Sequence, residues 1–284
     1  MKLLLVLAIL LATQGALAAA VWETLPLPPA MPAPESSGLA KVNGIAIYWA
    51  SFGAGDPVIL LHGGAGNADH WALQVPALAR RHRVIALDSR GHGRSTRDQA
   101  RPSYHRMAED VRAVMDALRL DKASIVGWSD GGIIGLDLAI HHPERVEKLV
   151  AFGANYDLAG MRADGPRELS KRYFEKCAAD YRRLSPTPEQ YPAFYQAMCK
   201  VWESEPTFSR EQLSRIRAPT LIADGEHDEL IRADHTRELA RLIPRGRLLF
   251  IAGASHFALW QRPEAFNEAI LGFLDEGAPR PAEP

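Results

Sequence analysis

The stretch Ile125-Val126-Gly127-Trp128-Ser129-Asp130-Gly131-Gly132, "IVGWSDGG", decides how this chain reads. An apolar run ends in a serine that has a glycine two positions away on either side, Gly127-x-Ser129-x-Gly131. A strand-to-helix turn tight enough to lift a hydroxyl above a sheet edge leaves no room for side chains at those two positions. The helix that follows aims backbone N–H groups, at the positive end of its dipole, toward whatever the hydroxyl attacks. Asp130, directly after the serine, has two readings. It can stabilise the first turn of its own helix, the more common use of an acid there. It can instead face substrate, where a carboxylate opposes a developing oxyanion but holds a cation strongly in a poorly solvated pocket. Trp128 and Asp130 are therefore the candidate substrate contacts.

A serine hydroxyl becomes nucleophilic only when a base takes its proton and an acid orients that base. In this arrangement the acid and then the histidine follow the serine along the chain. After the run "APTLIAD" comes Gly225-Glu226-His227-Asp228, and after "GRLLFIA" comes Gly253-Ala254-Ser255-His256. Asp228 and His256 are the expected acid and base, with Asp224 and Glu226 as rival acids. Acyl transfer also needs donors for the oxyanion. "LLHGGAG" supplies His62-Gly63-Gly64, so the expected pair is the backbone N–H of Gly64 and that of Asp130, with His62 bracing the loop.

From Lys41 onward, short apolar runs such as "PVILLHGG", "HRVIALDSRG" and "VEKLVAFGA" alternate with amphipathic stretches. Runs apolar on both faces indicate parallel strands covered by helices. The stretches 68–80, 103–118, 131–142, 232–243 and 263–274 suit those helices, and ligands should sit at the carboxyl ends of the strands. The interval 155–217 has no strand-like run, carries helical stretches at 167–184 and 190–204, and is rich in aromatics. It is expected to be a helical cap over the strand ends.

The motifs "HGG", "DSRGHGRS" (Asp88 to Ser95), "GWSDGG", "GEHD" and "GASHF" together resemble the α/β-hydrolase superfamily from about Lys41 to Leu274. The resemblance implies a Ser129–His256–Asp228 triad and no cofactor. "GWSDGG" with "LVAFGANYD" is similar to the biphenyl-hydrolase-like group, which includes valacyclovir hydrolase; there the acid after the nucleophile is held to bind a substrate ammonium group, a role that would fall on Asp130. The chain departs from that enzyme at His62-Gly63-Gly64, where a Pro-Gly-Met loop would be the match.

With 284 residues and 47% hydrophobic content, the chain suits one domain with a large core. A net charge of −1 and no Lys/Arg run argue against a nucleic-acid partner. Residues 1–18, "MKLLLVLAILLATQGALA", read as a signal peptide ending in Ala16-Leu17-Ala18, against the alternative of an uncleaved anchor. Export to the periplasm or medium is expected, with no stable membrane span after cleavage. Residues 19–40, rich in proline, read as an extended linker. Cys177 and Cys199 are either a disulfide or two thiols, and neither has a metal-like spacing with histidine, so no metal is expected. The expected function is a serine hydrolase acting on a small ester. Amino-acid ester or peptide, lactone, C–C bond and cofactor-free perhydrolase chemistry are alternatives on the same fold, and a non-catalytic ligand-binding homologue is one from another class.

Overall fold

The computed structural model describes residues 19–164 and 168–276. The proposed signal peptide therefore lies outside the described residues. Eight strands form a single sheet in the order β1-β2-β4-β3-β5-β6-β7-β8. They are β1 (Ser36–Val42), β2 (Ile45–Phe52), β3 (Asp56–Leu61), β4 (His82–Leu87), β5 (Ala123–Trp128), β6 (Val146–Phe152), β7 (Thr220–Gly225) and β8 (Gly246–Ile251). The pairings β1–β2 and β2–β4 are antiparallel and all others are parallel. Every residue of β5 is buried, as a central parallel strand requires, because helices close both faces. The serine turn thus leaves the middle of the sheet, between β3 and β6.

The helices are α1 (Val75–Leu78), α2 (Tyr104–Ala117), α3 (Asp130–His141), α4 (Glu168–Leu184), α5 (Tyr191–Trp202), α6 (Arg210–Ser214), α7 (Ala233–Leu242), α8 (Ala258–Gln261) and α9 (Pro263–Leu274). Ser103 caps α2 by accepting from the Arg106 N–H, which sets that helix's start one residue after the serine. The helix expected over 68–80 is instead a 3-10 turn at Ala68–Trp71 followed by the four-residue α1, with Pro76 at its start. Helices α4, α5 and α6 make up the cap between β6 and β7. None of the described helices is long and apolar enough to cross a membrane.

Two boundaries differ from expectation. Residues 36–40 belong to β1, an edge strand whose alternation is too polar to stand out in the sequence. The segment 19–35 is packed rather than a free linker. Leu25 is buried in the core, Trp22 stacks on His227, and the Thr24 carbonyl accepts from Gln261 Nε2 at 2.7 Å. Prolines lacking an N–H suit a strap along a surface, here anchored by Trp22 and Leu25 ahead of them while Leu27 between them stays exposed.

Candidate active site

The turn after β5 has the geometry its glycines suggest. Ser129 sits at φ 54°, ψ −119°, a region a residue with a side chain occupies only when its surroundings compel it. A Cβ on Gly127 would lie 2.1 Å from the Gly131 carbonyl oxygen, and one on Gly131 would lie 2.0 Å from that of Leu61. Both obstacles are backbone and cannot swing away. The Ser129 N–H donates to the Phe152 carbonyl at 2.8 Å, tying the turn to β6.

Asp228 follows β7 and His256 follows β8, and the two loops are joined by the His227 N–H to the Ala254 carbonyl at 2.8 Å. His256 Nδ1 lies 2.7 Å from Asp228 Oδ2. The other carboxylate oxygen, Oδ1, accepts from the backbone N–H of Leu230 and Ile231 at 2.6 and 2.7 Å. Burial disfavours the charged form of Asp228, but the charge and hydrogen bond of His256 outweigh it and hold the carboxyl at about 2. In His256, burial lowers the pKa while the attraction of Asp228 raises it, with a net upward shift. Nδ1–H is thereby committed to the carboxylate and Nε2 is left for chemistry. Asp224, the rival acid, takes a different part. It is fully buried, accepts from the Gly225 N–H and the Thr236 hydroxyl, and its pKa is pushed well upward by burial and by the Asp228 charge, which favours the protonated form beside Asp228. The other rival, Glu226, is turned outward to the Gly253 N–H.

Ser129, Gly64, Trp128, Asp130 and His256 all line one cavity of about 760 Å³, roofed by cap aromatics including Tyr173, Tyr195 and Trp202. The cap therefore stands over the strand ends. His62 braces the floor loop: its Nε2 accepts from the Ser89 N–H and its Nδ1–H donates to the Gly63 carbonyl, with burial keeping the ring neutral. Trp128 is almost wholly buried, and its Nε1–H donates to the His256 carbonyl at 2.9 Å, so it also holds the histidine loop.

Asp130 does not simply turn back on its helix. Its Oδ1 accepts from the Tyr104 hydroxyl at 3.0 Å and its Oδ2 from Trp202 Nε1 at 2.9 Å, and the residue forms part of the cavity wall. A Cβ on Gly64 would come within 2.8 Å of Asp130 Oδ2 and 2.7 Å of the Trp202 ring, which explains a glycine there. Burial raises the Asp130 pKa to about 6, against the lowering effect of its two hydrogen bonds.

Among the cavity residues that escaped the reading of the sequence, the buried acid is Glu229. Its Oε2 accepts from the His256 N–H at 3.2 Å, and its Oε1 has no hydrogen-bond partner among the described residues. Burial and the neighbouring Asp228 raise its pKa. A loop glutamate next to a candidate acid carries no pattern of its own, so only burial identifies it. Arg162, Lys171 and Glu175 line the exposed mouth, whereas the buried carboxylates of the wall are Asp130 and Glu229. Cys177 and Cys199, both in the cap, are free thiols.

Comparison with known proteins agrees with this architecture. The family model described as the alpha/beta hydrolase fold matches residues 56–181 and 161–263. RutD of Azorhizobium caulinodans, a protein named for carbamate hydrolysis, is 33% identical over 264 residues, spanning 81% of this chain and 95% of its own. The human serine hydrolase BPHL is 30% identical over 259 residues, spanning 84% of this chain and 86% of its own. Among solved structures, Est816, described as an N-acyl homoserine lactone degrading enzyme, matches with a TM-score of 0.68 at 30% identity, over 83% of this chain and 100% of its own. A family pattern that runs through most of the chain, on a sheet shared with solved relatives, means that the chain belongs to the α/β-hydrolase family.

Proposed function

We propose that the protein is an exported serine hydrolase that cleaves a small carboxylic ester through an acyl-enzyme. The observation that carries this reading is the 2.7 Å contact of His256 with Asp228, opening on the cavity that Ser129 also lines. Ser129 Oγ attacks the ester carbonyl and passes its proton to His256 Nε2, while Asp228 holds Nδ1–H and stabilises the imidazolium. The N–H groups of Gly64 and Asp130 receive the oxyanion. His256 then protonates the leaving alcohol, and a water activated by the same nitrogen releases the acid and restores the serine. The upward shift of Asp224 and the downward shift of Asp228 favour the negative charge next to the histidine. Export rests on the first 18 residues, which have the order of a cleaved signal.

Asp130 favours a second, narrower reading: an ester whose acyl part carries an ammonium group. Among the lining residues the buried group that can carry positive charge toward Asp130 and Glu229 is His256, which is already paired with Asp228, and a substrate amine would supply a further cation.

The deciding experiment compares the mature protein with Ser129→Ala on matched aminoacyl and neutral p-nitrophenyl esters. Loss of turnover by about 10⁴-fold or more is expected in the variant. Because the His256 pKa is raised and the base must be neutral, kcat/KM should climb through an acid limb lying above pH 6.5. Equal rates in wild type and variant would remove the serine mechanism. Preference for the neutral ester would remove the amine reading and leave the esterase standing.

A further inference from the structure

The contact between α2 and α3 holds a cluster that ester cleavage does not use. Asp137, on α3, has a side chain only 5% exposed, and its partners are two imidazoles. His105 Nδ1 lies 2.9 Å from Asp137 Oδ1, and His141 Nδ1 lies 3.1 Å from the same oxygen. Among the described residues no lysine or arginine pairs with this carboxylate. A buried carboxylate whose partners are two imidazoles rather than a lysine or arginine leaves room for a bound cation to complete its neutralisation.

The arrangement suits a metal ion. Asp137 and His141 are four residues apart on one helix, which puts both side chains on one face. His105 reaches them from the first turn of α2. The three donor atoms lie within 4.8 Å of one another. Bonds of about 2.0–2.2 Å to nitrogen and oxygen require ligand atoms roughly 3 Å apart, the spacing the two histidines already keep from the carboxylate. The His105 and His141 rings are themselves accessible, with side chains 54% and 37% exposed, so an ion can enter and keep water on its open positions. His141 ends α3, where the helix dipole favours positive charge.

We propose that His105, Asp137 and His141 form a binding site for a divalent transition-metal ion of the zinc type, which clamps the start of α2 to the end of α3. Binding requires each imidazole to carry its remaining proton on Nε2, so that Nδ1 turns from hydrogen-bond donor to ligand. None of the three residues lines the cavity, so the site is structural and separate from the reaction.

The test uses the full mature protein, stripped with a chelator and titrated with Zn²⁺ by calorimetry and with Co²⁺ by visible absorption. One site of micromolar affinity is expected, with a raised melting temperature in Zn²⁺. His105→Ala and His141→Ala should each weaken it by at least about tenfold, the scale on which even supporting partners of metal ligands act. Their ester turnover should remain at the wild-type rate, which also reports that they fold. Should either alanine variant lose turnover, His105→Gln keeps a donor for Asp137 while removing the imidazole. No binding below millimolar Zn²⁺, or binding that is unchanged in the variants, overturns the proposal.

Discussion

On the sheet side of the cavity, position comes from main-chain groups: the Ser129 N–H donates to the Phe152 carbonyl, the His227 N–H donates to the Ala254 carbonyl, and the N–H groups of Leu230 and Ile231 hold the Asp228 carboxylate. On the cap side, position comes from side chains. Phe174 packs edge-on or tilted against Tyr173, Tyr195 and Trp202. Polar ties join roof to floor, among them the Tyr173 hydroxyl to the Gly64 carbonyl, Trp202 Nε1 to Asp130 and the Tyr104 N–H to the Glu205 carboxylate. Bonds between two main-chain groups survive when a side chain is replaced, whereas ring contacts do not. The floor should therefore tolerate almost no change in backbone space, and the roof should accept substitution at the cost of selectivity.

Gly127→Ala offers the hardest test of that contrast. Its new methyl would meet the Gly131 oxygen at 2.1 Å and the Gly132 nitrogen at 2.5 Å. A loss of stability on the order of 3 kcal/mol or more, with turnover abolished, is expected in urea denaturation and ester assays. A variant that folds and works would show that the floor is not held by backbone packing.

Asp130→Asn tests the seam between the two sides. With a folded-state pKa of about 6, above the ordinary 3.8, the folded protein binds this proton more tightly than the unfolded chain. The stability so gained is full at low pH and is lost as pH rises through about 6. Asparagine carries no charge to desolvate. It should raise stability by on the order of 1–3 kcal/mol at pH 8, with no gain at pH 4, and should reduce any preference for amine-bearing esters by about 10- to 100-fold. A gain that does not depend on pH would mean that the carboxylate is not held at a burial cost.

Trp202→Phe should have the smallest effect, since it keeps a ring in the roof and removes one donor to Asp130. Turnover of a neutral ester is expected to change by less than about tenfold, with the larger change in the ranking of acyl groups. A loss comparable to that of Ser129→Ala would place the roof in the chemistry itself.

What the sequence made legible follows from the range of its interactions. Apolar runs, caps and glycine spacing are local, so β3 to β8, the start of α2 and the serine turn could be read directly. The edge strand β1 could not, because its alternating and largely exposed residues are specified by pairing with β2 rather than by their own pattern. The 68–80 interval carried a helical pattern that the loop's ties overrode: the Ala68 N–H donates to Asp88 and Asn67 caps the short turn.

By itself, then, the order of residues determined the fold family and pointed to the candidate serine, to a candidate histidine and to a short set of candidate acids after their strands, because each is written in a few consecutive residues. Only the tertiary structure decided between Asp228 and Asp224, turned the Asp130 carboxylate to the cavity wall, buried Glu229 there, and set His105 beside Asp137 and His141. Those outcomes depend on distances between segments far apart in the chain, and on how much water remains between them, which no local pattern encodes.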